Sequence, residues 1–314
     1  MTRDPAPGAW PELPLAQWDA TRYALHMWTQ MMGKTLLACA APLNHWWHVA
    51  LRVSARGLAS AAAIPTRDGC LDLELDLVEH ALVVRTERRT VSIPLVTRSV
   101  HAFYDEYLAV LDALGVRVRL WPVPVEVPDP VPFDRDDAPR PYDAEAAHRF
   151  WQVLRRCAAA LEALGDGFVG KQSPVHFFWG GFDLAATRFS GRRAPARPGV
   201  DAMMREAYSH EVISWGFWPG GAAMSGIRVD EPVLFAYAAP EPAGFRDADP
   251  GAAAARYDGR LGEFLLPYAA VRAAPDPAAE IRAFCEATYR AGASRGGWDR
   301  AALERTAGPP AAGP

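Results

Sequence analysis

Lys34 and Lys171 are the only two lysines in the chain, against 31 arginines, and each directly follows a glycine, in MMGKT and FVGKQ. An arginine would keep the charge, but a lysine offers a compact ammonium whose pKa shifts readily and which meets an anion as a point charge. A glycine cap followed by a solvated lysine gives the same pairing. The scarcity of lysine, together with a single asparagine, Asn44, fits GC-rich coding.

A second set with chemical potential is His176, Glu206 and His210. In DAMMREAYSHEV, read as a helix, Glu206 and His210 stand at i and i+4 on one face with Glu211 alongside. His176, from an aromatic run elsewhere, would complete a two-histidine, one-carboxylate set of the kind that leaves metal positions open to substrate. The same residues, with Asp183, are candidates for general acid and base work once burial tunes their pKa values. The plainer readings are a Glu–His pair worth ~0.2–0.5 kcal/mol and a satisfied core histidine.

GDGFVGKQ, from Gly165 to Gln172, fits G-x-x-x-x-G-K and also contains G-x-G-x-x-G. A phosphate loop must lead from a strand into a helix N-terminus and carry a hydroxyl after its lysine. Here the segment follows a helical pattern, has Gln172 in the hydroxyl's place and runs through Pro174 into a strand-like stretch, so a true P-loop is not expected. The chain has no G-x-S-x-G elbow for a nucleophilic serine.

The chain has an excess of aromatics, with eleven tryptophans and nine tyrosines, and five of the tryptophans cluster in HWWH (His45 to His48), HFFW (His176 to Trp179) and WGFW (Trp215 to Trp218). Aromatic faces beside cations suit a flat sugar or heterocycle, and they equally suit a packed interface. A ligand site built from these residues would use Lys34, Lys171 and Arg188 for an anion and Trp179 and Trp218 as walls, with His45, Asp183 and Glu211 as further polar contacts.

The elements that position these residues follow from periodicity. Apolar residues recur at three and four from Ala147 to Leu164, a helix stopped by Gly165; Ser99 caps a second helix reaching Leu111; Asp276-Pro277 starts a third through Tyr289. Leu71, Leu73, Leu75 and Leu77 alternate with Asp72, Glu74 and Asp76, a half-buried strand with an acidic face that Arg85, Arg117 and Arg119 can answer across a sheet. Strands at 82–86, 90–95 and 116–120 follow at meander spacing. Residues 121–142 carry seven prolines, which excludes a helix or central strand.

Around that connector the two halves run in similar order. Asp19-Ala20, Met27-Trp28, Gly33-Lys34, Pro42 and His45-Trp46-Trp47 answer to Asp143-Ala144, Phe150-Trp151, Gly170-Lys171, Pro174 and His176 to Trp179. This predicts an α+β fold of two related lobes from a diverged duplication, 1–120 and 143–304, each a mainly antiparallel sheet with flanking helices. A Pro-rich connector spans 121–142, and a disordered tail 305–314.

Composition bounds the function. Half of the 314 residues are hydrophobic, and 33 basic against 37 acidic residues give a net charge of -4, which points to a globular chain without the electrostatic pull of a nucleic-acid or membrane binder. No signal peptide and no membrane span is read, so the expected location is the cytoplasm. Cys39, Cys70, Cys157 and Cys285 are too scattered for a zinc or redox motif and are expected as reduced, buried thiols. The cofactor is left open, and any metal would use His176, Glu206 and His210.

The runs LHMWTQMMGK, NHWW, SPVHFFWGGFDLAATRFSGR, EAYSHEV, GFWPGG and LGEFLLPY resemble those of a bacterial domain-of-unknown-function family numbered 5996, over roughly Trp10 to Asp299. The resemblance implies one family unit and no activity. Three readings stay open: an enzyme acting on a small anionic or polyhydroxylated metabolite at an aromatic-lined pocket between the lobes, a small-ligand binder, and an interaction protein whose aromatics are interface.

Overall fold

In the computed structural model, which describes residues 10–66, 69–223 and 225–305, the three helices read from periodicity form with their caps in place. Ser99 accepts a hydrogen bond from Ala102 N at 3.1 Å, Asp143 from Ala146 N at 3.1 Å and Asp276 from Ala279 N at 2.9 Å, each satisfying one free donor of a helix start.

The chain order is α1 (Leu15–Cys39), β1 (Leu51–Val53), β2 (Gly57–Ser60), β3 (Ile64–Thr66), β4 (Gly69–Asp76), β5 (Ala81–Thr86), β6 (Thr90–Pro94), β7 (Arg98–Ser99) and α2 (Val100–Ala113). Next come β8 (Pro139–Arg140), α3 (Ala144–Glu162), β9 (His176–Phe178), β10 (Asp183–Arg193), α4 (Ala202–Ala207), β11 (His210–Trp218), β12 (Gly221–Ala222) and β13 (Arg228–Val229). The last are β14 (Val233–Ala239), β15 (Arg256–Asp258), β16 (Glu263–Pro267), α5 (Tyr268–Ala273), α6 (Pro277–Arg295) and α7 (Arg300–Leu303). The fold is α+β with a large, mainly antiparallel sheet.

Two compact units emerge, each discontinuous in sequence: the described parts of 1–156, 176–184 and 217–232, and those of 157–175, 185–216 and 233–314. In the first unit the strands run β9-β1-β2-β4-β5-β6, with β3 on β4. Leu71, Leu73 and Leu75 point into the core, while Arg85, set opposite Asp72, reaches Glu74 at 2.6 Å, the expected cross-strand pairing. Arg117 instead meets Asp112 at 3.4 Å, because the strand expected at 116–120 does not form. Val116 and Leu120 are buried as side chains, but the segment runs directly into prolines that have no N–H for a ladder.

α1 is buried along most of its length, and His26, Gln30 and Lys34 make a polar stripe at every fourth residue. Their partners are backbone groups in the Pro-rich residues and near β9. Lys34 Nζ donates to Val123 O at 2.9 Å; Gln30 exchanges hydrogen bonds with Val125 O and Val125 N at 2.7 and 2.9 Å; His26 Nε2 meets Gly180 O at 2.9 Å. Polar side chains from the helix thus replace the ladder that a Pro-rich strand cannot make. Gly33 lets the Trp179 indole lie against the helix, where any Cβ would overlap the ring.

In the second unit the order is β15-β16-β14-β11-β10. One face packs on α6, where Trp215 Nε1 donates to Thr288 Oγ1 at 2.9 Å and Gly292 admits Ile213. Cys157 and Cys285 are buried, but Cys39 is half-buried and Cys70 exposed, so the expectation of four buried thiols holds for two. The element-by-element match of a duplication is not seen at its key residues. Gly33-Lys34 lies within α1 and Gly170-Lys171 in a loop; His45 lies in a helical turn and His176 in a strand. The tail expected at 305–314 falls, beyond Arg305, outside the described residues. No helix among the described residues is long and apolar enough to cross a membrane.

Candidate functional site

The glycine-rich stretch uses its amides internally. Val169 N and Gly170 N both donate to Leu303 O, at 2.8 and 3.4 Å, and Phe168 N donates to Gly165 O at 3.2 Å. These N–H groups are therefore unavailable to a phosphate. Lys171 is exposed, with Nζ 5.0 Å from the Phe189 ring centroid.

Arg188 is buried in the second unit, its guanidinium 4.7 Å from the Phe168 and Tyr289 centroids and 5.5 Å from that of Trp215. It donates to Leu164 O and, at 3.0 Å, to Gln172 Oε1, and burial lowers its pKa. Three rings and two acceptors hold this cation as part of the core.

The helix expected to present Glu206 and His210 on one face stops too early. α4 ends at Ala207, Tyr208 N closes its last turn on Met204 O, and His210 opens β11, whose Val212 and Ile213 are β-branched strand formers. Glu206 is exposed, and His210 Nδ1 pairs with Ser209 Oγ at 3.0 Å. Glu211 is clamped by Arg192 at 2.7 Å. It borders a cleft of about 90 Å³ with Pro240 and Trp298, well short of the ~300 Å³ at which small-molecule sites begin. His176 belongs to the first unit and Glu206 and His210 to the second; among the described residues no three His, Cys, Asp or Glu side chains gather as a metal site.

In the first unit the Lys34 ammonium lies 6.0 Å from the Trp179 ring and 5.8 Å from that of Phe133, and burial lowers its pKa to about 8. Trp179 Nε1 donates to Val49 O at 2.8 Å. His45 has left-handed backbone, φ 57°, and its ring lies 5.5 Å from Trp47, which in turn lies 6.0 Å from His176. His176 is 5 % exposed, its Nδ1 has no hydrogen-bond partner among the described residues, and burial pulls its pKa to about 4, so the ring is neutral at neutral pH. Asp183 opens β10 beside Gly181, and Trp218 is half-buried where β11 turns through Pro219 and Gly220.

The richest chemistry lies on residues outside every sequence motif. On the face of the second unit's sheet opposite Trp215 and Ile213, a row of polar side chains crosses five strands. Asp258 of β15 is paired directly with Glu263 of β16. The β14–β16 register, carried one residue beyond Ala236↔Phe264, sets Glu263 across from Tyr237. Tyr237 lies within electrostatic reach of Ser214 of β11 and, at 2.9 Å, bonds Tyr208, on whose ring the Arg197 guanidinium lies at 4.3 Å. Ser214 Oγ donates to Ala186 O at 3.2 Å, so in its 2.8 Å contact with Thr187 of β10 the threonine hydroxyl is the donor.

Glu263 is half-buried and its carboxyl makes no hydrogen bond or ion pair among the described residues; burial first, and the Asp258 charge second, raise its pKa to about 7. Asp258 is held at about 2, chiefly by hydrogen bonds from Arg260. Burial and the neighbouring Tyr208 push the Tyr237 phenol above its ordinary range. Two adjacent carboxyl groups thus differ in charge at neutral pH, and the higher one exists in both protonation states, the condition for general acid–base work. Part of the row had a signal in the sequence: Tyr237 and Glu263 are the lone polar residues of the otherwise apolar strands β14 and β16.

No curated protein and no solved structure matches this chain. The model of one family does, over residues 10–305; its description reads Family of unknown function (DUF5996).

Proposed function

The chain belongs to DUF5996, and with no activity to carry over from that family we propose that it is an enzyme that moves a proton on a small polyhydroxylated or anionic metabolite, with Glu263 as the acid–base group. One observation carries this reading: an unpaired, half-buried carboxyl stands between a charged carboxylate and a chain of hydroxyls. In that setting Glu263 gives or takes the proton, Asp258 keeps its affinity for the proton high, and the hydroxyls of Tyr237, Tyr208, Ser214 and Thr187 supply neutral donors and acceptors that orient a substrate rich in oxygen.

A thermal-shift panel of neutral sugars, sugar phosphates and small carboxylates tests the reading. A ligand at 100 times its Kd stabilises the folded chain by ~2.7 kcal/mol. The expected result is a shift with one class that is lost in Tyr237→Phe, and turnover of that compound that is lost in Glu263→Gln while binding persists. A ligand that binds and is never turned over makes the protein a binder. No shift across the panel removes the small-molecule reading.

A further inference from the structure

Between the neighbouring strands β10 and β11 the chain runs from Ala194 to Ser209, far longer than the hairpin turn that can join such a pair. Ala194 N donates to Ser209 O at 3.0 Å, so the segment leaves and returns at one point, as a compact loop does. Asp201 caps α4 inside it by accepting from Met204 N at 2.8 Å, and Tyr208 closes that helix with its hydroxyl 2.9 Å from that of Tyr237. The loop is thereby fastened to the polar row. Arg197 belongs to the same loop, and its guanidinium lies 4.3 Å from the Tyr208 ring centroid, a cation–π contact that orients the planar fork. The residue is exposed, and its N–H donors make no hydrogen bond or ion pair among the described residues. Arg260, at the other end of the row, is by contrast engaged by Asp258 at 2.6 Å.

Charge is thus divided along the row. Asp258 and Glu263 supply carboxyl groups at the β15–β16 end, while Arg197 stands on Tyr208, beyond Tyr237. At the β10 end Phe189 lies two residues from Thr187 and so on the same face, and Lys171 Nζ is 5.0 Å from its ring centroid. A neutral polyol draws nothing from these cations. An oxyanion does, and at Arg197 it is held away from the charge of Asp258. One phenol ring and one hydrogen bond separate the guanidinium from the Tyr237 oxygen, and Tyr237 faces Glu263 across the strands, so a molecule of a few carbons spans from one to the other.

We propose, on the strength of the acid–base reading of Glu263, that Arg197 selects the substrate: it pairs bidentately with a carboxylate or phosphate group, and the hydroxylated remainder of the same molecule lies along Tyr208 and Tyr237 to Glu263. The substrate class is then a sugar acid or sugar phosphate and not a neutral sugar. Lysine would supply the charge at this position but not the flat fork that a stacked, two-point contact uses.

The test uses the full chain and three probes on one carbon skeleton, sorbitol, gluconate and sorbitol 6-phosphate, titrated by calorimetry. At least one of the two anions is expected to bind, at least about tenfold more tightly than sorbitol, and Arg197→Gln to remove that advantage, with Arg197→Lys in between. Binding of the anion should weaken with added salt. In the wild-type chain the NMR signal of the Arg197 Nε–H must move on titration, a readout that needs no variant. Sorbitol bound as tightly as the anions, an unmoved Arg197 signal, or a folded Arg197→Gln that binds the anions like wild type each overturns the proposal and leaves Glu263 as the acid–base group untouched. An anion held by Arg197 that is never turned over supports Arg197 as the anion site and removes the acid–base reading instead. Binding of none of the probes overturns both.

Discussion

The Lys34 ammonium, 5 % exposed and 2.9 Å from the Val123 carbonyl, ties the C-terminal part of a buried helix to the backbone of the Pro-rich segment without a carboxylate in between. Its pKa, lowered by burial to about 8, sets the sign of a pH effect. Between that value and the ordinary lysine range the unfolded chain binds the proton that the folded chain has released, so stability rises with pH across the window. Urea unfolding of wild type and Lys34→Met from pH 7.5 to 10 should show that rise in wild type and not in the variant. Parallel curves would sink the assignment.

Gln30 carries the neighbouring tie. Gln30→Ala leaves Val125 N–H and C=O without their partners, a loss of ~1–3 kcal/mol. The freed segment should also be cut sooner by protease near Trp121, which is 69 % exposed. An unchanged cleavage rate would mean that the segment is held by its prolines alone.

Glu263 titrates in the opposite sense to an ordinary surface carboxylate. Its folded pKa, about 7, lies above its unfolded value, so the stability it contributes is complete below the unfolded pKa and is lost as pH rises toward 7. Glu263→Gln should flatten that decline. Carbon-detected NMR of the side chain should place its midpoint near neutrality, and a midpoint in the ordinary carboxylate range would remove it as the acid–base group.

Gly33→Ala separates propensity from packing. In an exposed helix the change should gain up to ~1 kcal/mol. Here the new methyl overlaps the Trp179 indole, and the expected outcome is a net loss of ~1–3 kcal/mol, with altered tryptophan fluorescence. A stabilised variant would show that the indole has room to move.

Arg188→Lys tests whether shape or charge matters among the three rings. A lysine keeps the charge but cannot span Leu164 O and Gln172 Oε1 together. The variant should lose ~1–3 kcal/mol in chemical denaturation; equal stability would mean that charge alone suffices.

Local signals were legible where one element decides the outcome. The caps at Ser99 and Asp276 and the alternation of Leu71, Leu73 and Leu75 depend on neighbours in sequence, and all three were read correctly. Val116 to Leu120 alternates as well, yet a strand needs a partner, and the segment gives way to prolines. His210 was misplaced for a related reason: the helical spacing from Glu206 was sound arithmetic, but the chain changes conformation at Tyr208. The polar row was the hardest to see, because Thr187, Ser214, Tyr237 and Glu263 lie far apart in sequence and become neighbours only through strand register.

The pairing of the glycine-rich stretch with Leu303 also bears on how the chain is made. Val169 and Gly170 leave the ribosome long before the carbonyl that satisfies their amides, and α6, which covers Trp215, is synthesised late as well. The second unit therefore cannot complete its core during most of translation. Strands β10 and β11 must wait with apolar faces open, which makes this unit the part of the nascent protein most in need of protection from aggregation.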